Sequence, residues 1–150
     1  LQTSILKNKI MPNTAFIIKN AEYVEVPIPT GNTKTQIYFP DLPNLRNRPI
    51  FGIECYTSTI ASITSSGATV QAYAQLLDTT VTLYYDGGEF IVVPAMSLVR
   101  LNYGAAAHII WDIPHLAGQN VVWTKSYVTM SGTIANYAAK TFLFNVYYNR

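Results

Sequence analysis

The chain contains two histidines, and they stand close together. The run His108-Ile109-Ile110-Trp111-Asp112-Ile113-Pro114-His115 sets a carboxylate between two imidazoles. Tetrahedral zinc sites use such ligands, and imidazole is the usual general base near neutral pH. Along an extended chain, however, side chains at i, i+4 and i+7 do not all leave one face, because direction alternates with each residue. His108, Asp112 and His115 therefore read as hydrogen-bonded polar residues and not as a metal centre.

The remaining inventory for catalysis is thin. A hydrolase needs a nucleophile, a base and a group to orient the base. The eight carboxylates are Glu22, Glu25, Asp41, Glu54, Asp78, Asp86, Glu89 and Asp112. No pair has a spacing that marks a glycosidase, although two acids could still meet across strands. Neither the dinucleotide-binding glycine pattern nor the phosphate loop occurs. The single cysteine, Cys55, sits in the apolar run Ile50-Phe51-Gly52-Ile53-Glu54-Cys55-Tyr56 and reads as a small buried hydrophobe. No catalytic residue, metal or cofactor is expected, and the chain is not read as an enzyme.

Residues suited to binding are easier to find. Arg46 and Arg48 lie in Phe39-Pro40-Asp41-Leu42-Pro43-Asn44-Leu45-Arg46-Asn47-Arg48-Pro49-Ile50, where prolines stiffen the backbone. Arginine on a rigid loop is a good forked donor to carboxylate or phosphate; the plainer alternative is that both side chains serve their own turn. Trp111 and Trp123, with Lys125 and Tyr127, could form an aromatic shelf for sugars or bases, or else core and interface aromatics with a polar tip. Lys7 and Lys9 lie in an opening stretch that ends at Met11-Pro12-Asn13. The interface candidates are thus Lys7, Lys9, Arg46, Arg48, Trp111 and Trp123.

Composition points the same way. Only 12% of the 150 residues are charged while 49% are apolar and eleven are tyrosine. Globular chains carry about 25% charge, so the polar coverage must come from Thr, Ser, Asn and Tyr, which suit strands and surfaces that lie against a neighbour. A net charge of +2 is too small, and too scattered, to hold nucleic acid. No apolar run reaches the roughly 18 residues of a membrane span, and no secretory signal opens the chain.

The positioning elements are short β-type runs separated by Pro, Gly and Asn. Tyr23 to Ile28 alternates, with Val24, Val26 and Ile28 on one side, and Pro27 marks it as an edge strand or a bulge. Thr35 to Phe39, Ile50 to Ser58, Thr79 to Tyr85, Glu89 to Val93, Met96 to Leu101, Val121 to Val128 and Thr141 to Tyr148 follow. Asp86-Gly87-Gly88 is the clearest hairpin turn, and Thr59 to Gly67 reads as a long loop. Val70 to Leu77 and Thr133 to Lys140 are short helix candidates. The alternation assigns Val24, Val26, Ile37, Phe39, Phe51, Ile53, Val81, Leu83, Phe142 and Phe144 to one core. The expected architecture is all-β: an N-terminal arm over residues 1–13, then a single jelly-roll or Greek-key β-sandwich of about eight antiparallel strands over residues 14–150.

The series Tyr23-Val24-Glu25-Val26-Pro27-Ile28-Pro29, Ile37-Tyr38-Phe39-Pro40, Leu45-Arg46, Ile50-Phe51-Gly52-Ile53-Glu54 and Trp123-Thr124-Lys125-Ser126-Tyr127-Val128 resembles small structural proteins of tailless icosahedral, Bacteroidetes-type bacteriophages. That resemblance implies a single jelly roll acting as a penton or minor capsid subunit. It implies assembly in the host cytoplasm, residence in the virion, and contact with copies of itself and other capsid proteins, a spike or fibre protein among them. A carbohydrate- or receptor-binding module of a fibre or spike is the competing reading, and a small hydrolase on the same scaffold a third.

Overall fold

A computed structural model describes residues 20–57, 68–99, 111–112 and 120–148. The arm over residues 1–13, the loop from Thr59 to Gly67, and both histidines lie outside the described residues. In chain order the elements are β1 (Asn20–Pro27), β2 (Gln36–Tyr38), β3 (Ile50–Tyr56), α1 (Tyr73–Leu77), β4 (Thr79–Tyr84), β5 (Phe90–Pro94), β6 (Trp111–Asp112), β7 (Tyr127–Met130) and β8 (Thr141–Tyr148). The strands form two antiparallel sheets, ordered β1-β8-β3-β6 and β2-β7-β4-β5. The chain is an all-β sandwich.

Strands pair from the outside of the sequence inward: β1 with β8, β2 with β7, β3 with β6 and β4 with β5. Among the eight strands only the β4–β5 link stays within one sheet. That link is the expected hairpin, in which Gly88 adopts a φ of +92° that costs glycine little. Pro27 ends an edge strand, β1, as its missing N–H requires.

The alternation is realised in the packing. Val24 and Val26 of β1, Ile53 of β3 and Phe142, Phe144 and Val146 of β8 meet Val81 and Leu83 of β4, Val93 of β5 and Val128 and Met130 of β7 in one buried cluster. Ile37 packs against it from its edge. Phe39, just past β2, sets its ring 5.3 Å from that of Phe144, bridging the layers. The Phe51 side chain lies outside the description.

Three sequence expectations are corrected. Val121 to Val128 is not one strand: a 3-10 turn at Trp123–Lys125 interrupts it, and β7 starts at Tyr127. Ser126 holds this break, its Oγ donating to Val122 O at 2.9 Å and accepting from Tyr84 N–H at 3.1 Å. Over Met96 to Leu101 the described part forms a 3-10 turn, Ala95–Leu98, entered through Pro94. Of the helix candidates, the first shrinks to α1 and the second to a 3-10 turn at Ile134–Asn136.

The outward side of β3 and β8 is also buried. Leu143 joins Tyr56 and Val70 in a small apolar cluster. Beside it, Tyr147 OH donates to Glu54 Oε1 at 2.7 Å, and Asn145 Nδ2 donates to Tyr147 OH at 3.0 Å and to Tyr56 OH at 3.4 Å. Glu54 thus points away from the core, as the alternation says, yet is fully buried. A buried carboxyl group is tolerated where a donor such as the Tyr147 phenol reaches it.

Candidate functional site

The outer face of the β2-β7-β4-β5 sheet carries what the other face hides. In an antiparallel pair, side chains directly opposite lie close together and diagonal neighbours remain within reach of an aromatic ring. Tyr38 of β2 stands opposite Tyr127 of β7, and Tyr84 of β4 opposite Phe90 of β5. Tyr127 pairs with Thr82, so Tyr84, two residues on, is its diagonal neighbour. The rings therefore touch in sequence: Tyr38 to Tyr127 at 5.4 Å, Tyr127 to Tyr84 at 6.3 Å, and Tyr84 to Phe90 at 5.0 Å.

The result is an aromatic stripe running across all four strands. Its two ends are open to solvent, Tyr38 at 56% and Phe90 at 54% exposure, and Val92 beside Phe90 is equally exposed. Partial loss of water, with the neighbouring Tyr127 and Tyr38 phenols, raises the Tyr84 phenol above its ordinary range, so it stays neutral. A shallow groove of about 320 Å³ follows the stripe, lined by Gln36, Tyr38, Tyr84, Thr124, Lys125 and Tyr127. Among the described residues Lys125 is the one charged side chain in that lining.

The sequence candidates fare unevenly. Trp123 is buried and packs edge-on against Phe39 at 5.3 Å, so it belongs to the core and not to an exposed shelf or interface. Lys125 and Tyr127, grouped with it, do reach the surface groove. Arg46 directs its Nε and Nη2 to the two carboxylate oxygens of Asp41, an exposed pair within its own loop, of a kind worth about 0–1 kcal/mol. Arg48 holds its guanidinium carbon 5.8 Å from the centre of the Tyr148 ring, a cation–π contact. Lys7, Lys9 and the Trp111 side chain lie outside the description.

Tyr38, Tyr84 and Phe90 were missed as site residues. Their signal was a large aromatic at the outward position of an alternating strand, where Thr, Lys or Glu would be usual. Cys55 is fully buried, and burial pushes its thiol up to about 12, so it is no nucleophile in the folded protein. Among the described residues no three His, Cys, Asp or Glu side chains gather where they could hold a metal ion, and no helix is long and apolar enough to cross a membrane. No protein-family model, no curated protein and no solved structure matches the chain.

Proposed function

We propose that this protein is a structural subunit that acts by packing against other protein subunits, as a building block of a virus shell. The observation that carries the reading is the aromatic stripe. Tyrosine and phenylalanine are the residues enriched where proteins bury surface against one another, and charge is depleted there. Four of them in ring contact across one sheet, with one charged neighbour in the groove, suit a face that is covered in the working assembly.

The strand order supports the finer part of the proposal. Pairing β1 with β8, β2 with β7, β3 with β6 and β4 with β5, split between two four-stranded sheets among the described residues, is similar to the strand pairing of a jelly roll, a fold common in capsid proteins, and so supports that reading. The test is the solution mass of the purified chain by light scattering, with electron microscopy of the same sample. Rings, pentamers or closed particles support assembly; a monomer at every attainable concentration refutes it.

The groove along the stripe favours a second reading, a carbohydrate-binding module. Sugar rings stack on aromatic faces, and Gln36, Thr124 and Lys125 offer hydrogen bonds at the rim. Quenching or enhancement of tyrosine fluorescence by oligosaccharides, on a chain that stays monomeric, would favour that reading.

A further inference from the structure

The two sheets have four edges among the described residues. The β1 edge carries Glu22, Glu25 and Pro27 and the β2 edge is three residues long, two of the ways in which natural sheets prevent unwanted pairing. β5 is different. It reads Phe-Ile-Val-Val-Pro, with no charge from Phe90 to Val93, and two of its side chains stand more than half exposed.

Hydrogen bonding shows which groups this edge leaves open. Tyr85 N–H donates to Glu89 O at 2.8 Å, so Glu89 faces β4. Tyr84 turns the other way, its N–H to Ser126 Oγ and its C=O to Val122 N–H at 2.7 Å. Backbone direction alternates along an antiparallel pair, so Phe90, opposite Tyr84, and Val92, two residues on, aim their N–H and C=O groups off the free side of the sheet. Pro94 belongs to the same set, and its missing N–H closes that end.

We infer that β5 is an assembly edge that pairs antiparallel with β5 of a second copy, with the two-fold axis at Ile91. In that register Phe90 faces Val92 of the partner copy and Val92 faces its Phe90, which satisfies the open groups with about four backbone hydrogen bonds. The exposed Phe90 and Val92 side chains then lie against each other, and the two aromatic stripes become neighbours on one eight-stranded sheet. Like charges do not meet, since the two Glu89 residues stand roughly 14 Å apart along the strands, beyond the screening length of physiological salt. The partner is a second copy because the edge is complementary to itself in register, side chain and charge.

This contact deepens the assembly reading and rests on it. Three proteins in sedimentation equilibrium test both: wild type, Val92→Pro and Ile91→Cys. Proline at position 92 removes an N–H that faces away from β4, so the fold should be kept. Ile91 meets its own copy at a non-hydrogen-bonded position, about 4.5 Å between α-carbons, which a disulfide can span; buried Cys55 does not compete. The expected results are concentration-dependent self-association of wild type, at least tenfold weaker association of Val92→Pro with unchanged melting, and a disulfide dimer of Ile91→Cys under mild oxidation. Wild type that associates while Ile91→Cys forms no disulfide dimer overturns the β5 contact and leaves the assembly reading standing, as does a folded Val92→Pro that associates normally. Monomeric wild type overturns the assembly reading itself.

Discussion

Tyr127→Ala separates a side chain that holds the fold from one that holds an assembly. Tyr127 sits mid-stripe, with ring contacts to Tyr38 at 5.4 Å and Tyr84 at 6.3 Å, and its other face is partly open. Cross-strand aromatic pairs contribute about 0.2–1 kcal/mol each, so losing both should cost the isolated subunit about 1 kcal/mol. With a urea dependence of about 2 kcal/mol per M, that is a midpoint shift near 0.5 M. An aromatic anchor at the centre of an interface is worth about 2 kcal/mol or more, which weakens association about 30-fold. Urea unfolding followed by far-UV circular dichroism reads the first quantity, and sedimentation equilibrium the second. Tyr23→Ala, exposed on the opposite sheet, is the control and should leave association unchanged. Association within threefold of wild type would remove the stripe from the interface. A stability loss above about 3 kcal/mol would instead place Tyr127 among the core residues.

Phe144→Ala should cost about 3–5 kcal/mol, because the ring is fully buried in a central strand and packs on Phe39; a urea midpoint implying less than 1 kcal/mol would contradict that placement. Gly132→Ala should destabilise by about 1–3 kcal/mol, since a Cβ there would meet Tyr137 OH at 2.8 Å and Asp78 Oδ2 at 3.2 Å; an unchanged melting temperature would show that Tyr137 can move aside. Cys55 should resist iodoacetamide at pH 8 until urea unfolds the chain, as the mass of the recovered protein reports. Its thiol lies at about 12 when folded against an ordinary 9.0. The native state therefore keeps this proton longer than the unfolded one, and the associated stability is intact below pH 9 and falls as pH rises towards 12. Cys55→Ala should flatten that alkaline decline, read as urea midpoints at pH 8 and pH 10.5.

Period-two patterning was legible in the sequence wherever one face of a strand meets the core. Val24 and Val26, Val81 and Leu83, and Phe142 and Phe144 turned inward as their spacing required, and Asp86-Gly87-Gly88 marked its hairpin because few other residues accept that turn. Low charge and abundant tyrosine likewise belonged to the sequence alone. Alternation says which way a side chain points, but not what lies on that side. Glu54, Tyr56 and Asn145 point outward and are buried all the same, a state that no spacing distinguishes from exposure. Trp123 went to the core because Ser126 replaced a ladder bond and let the chain turn, an event that depends on Tyr84, far away in sequence. The stripe is of the same kind: Tyr38, Tyr84, Phe90 and Tyr127 come from four strands, and only sheet order and register bring their rings together. The open edge of β5 was also hidden, since a strand's own residues do not reveal whether one neighbour or two will pair with it; that is decided by long-range hydrogen bonding in the folded sheet.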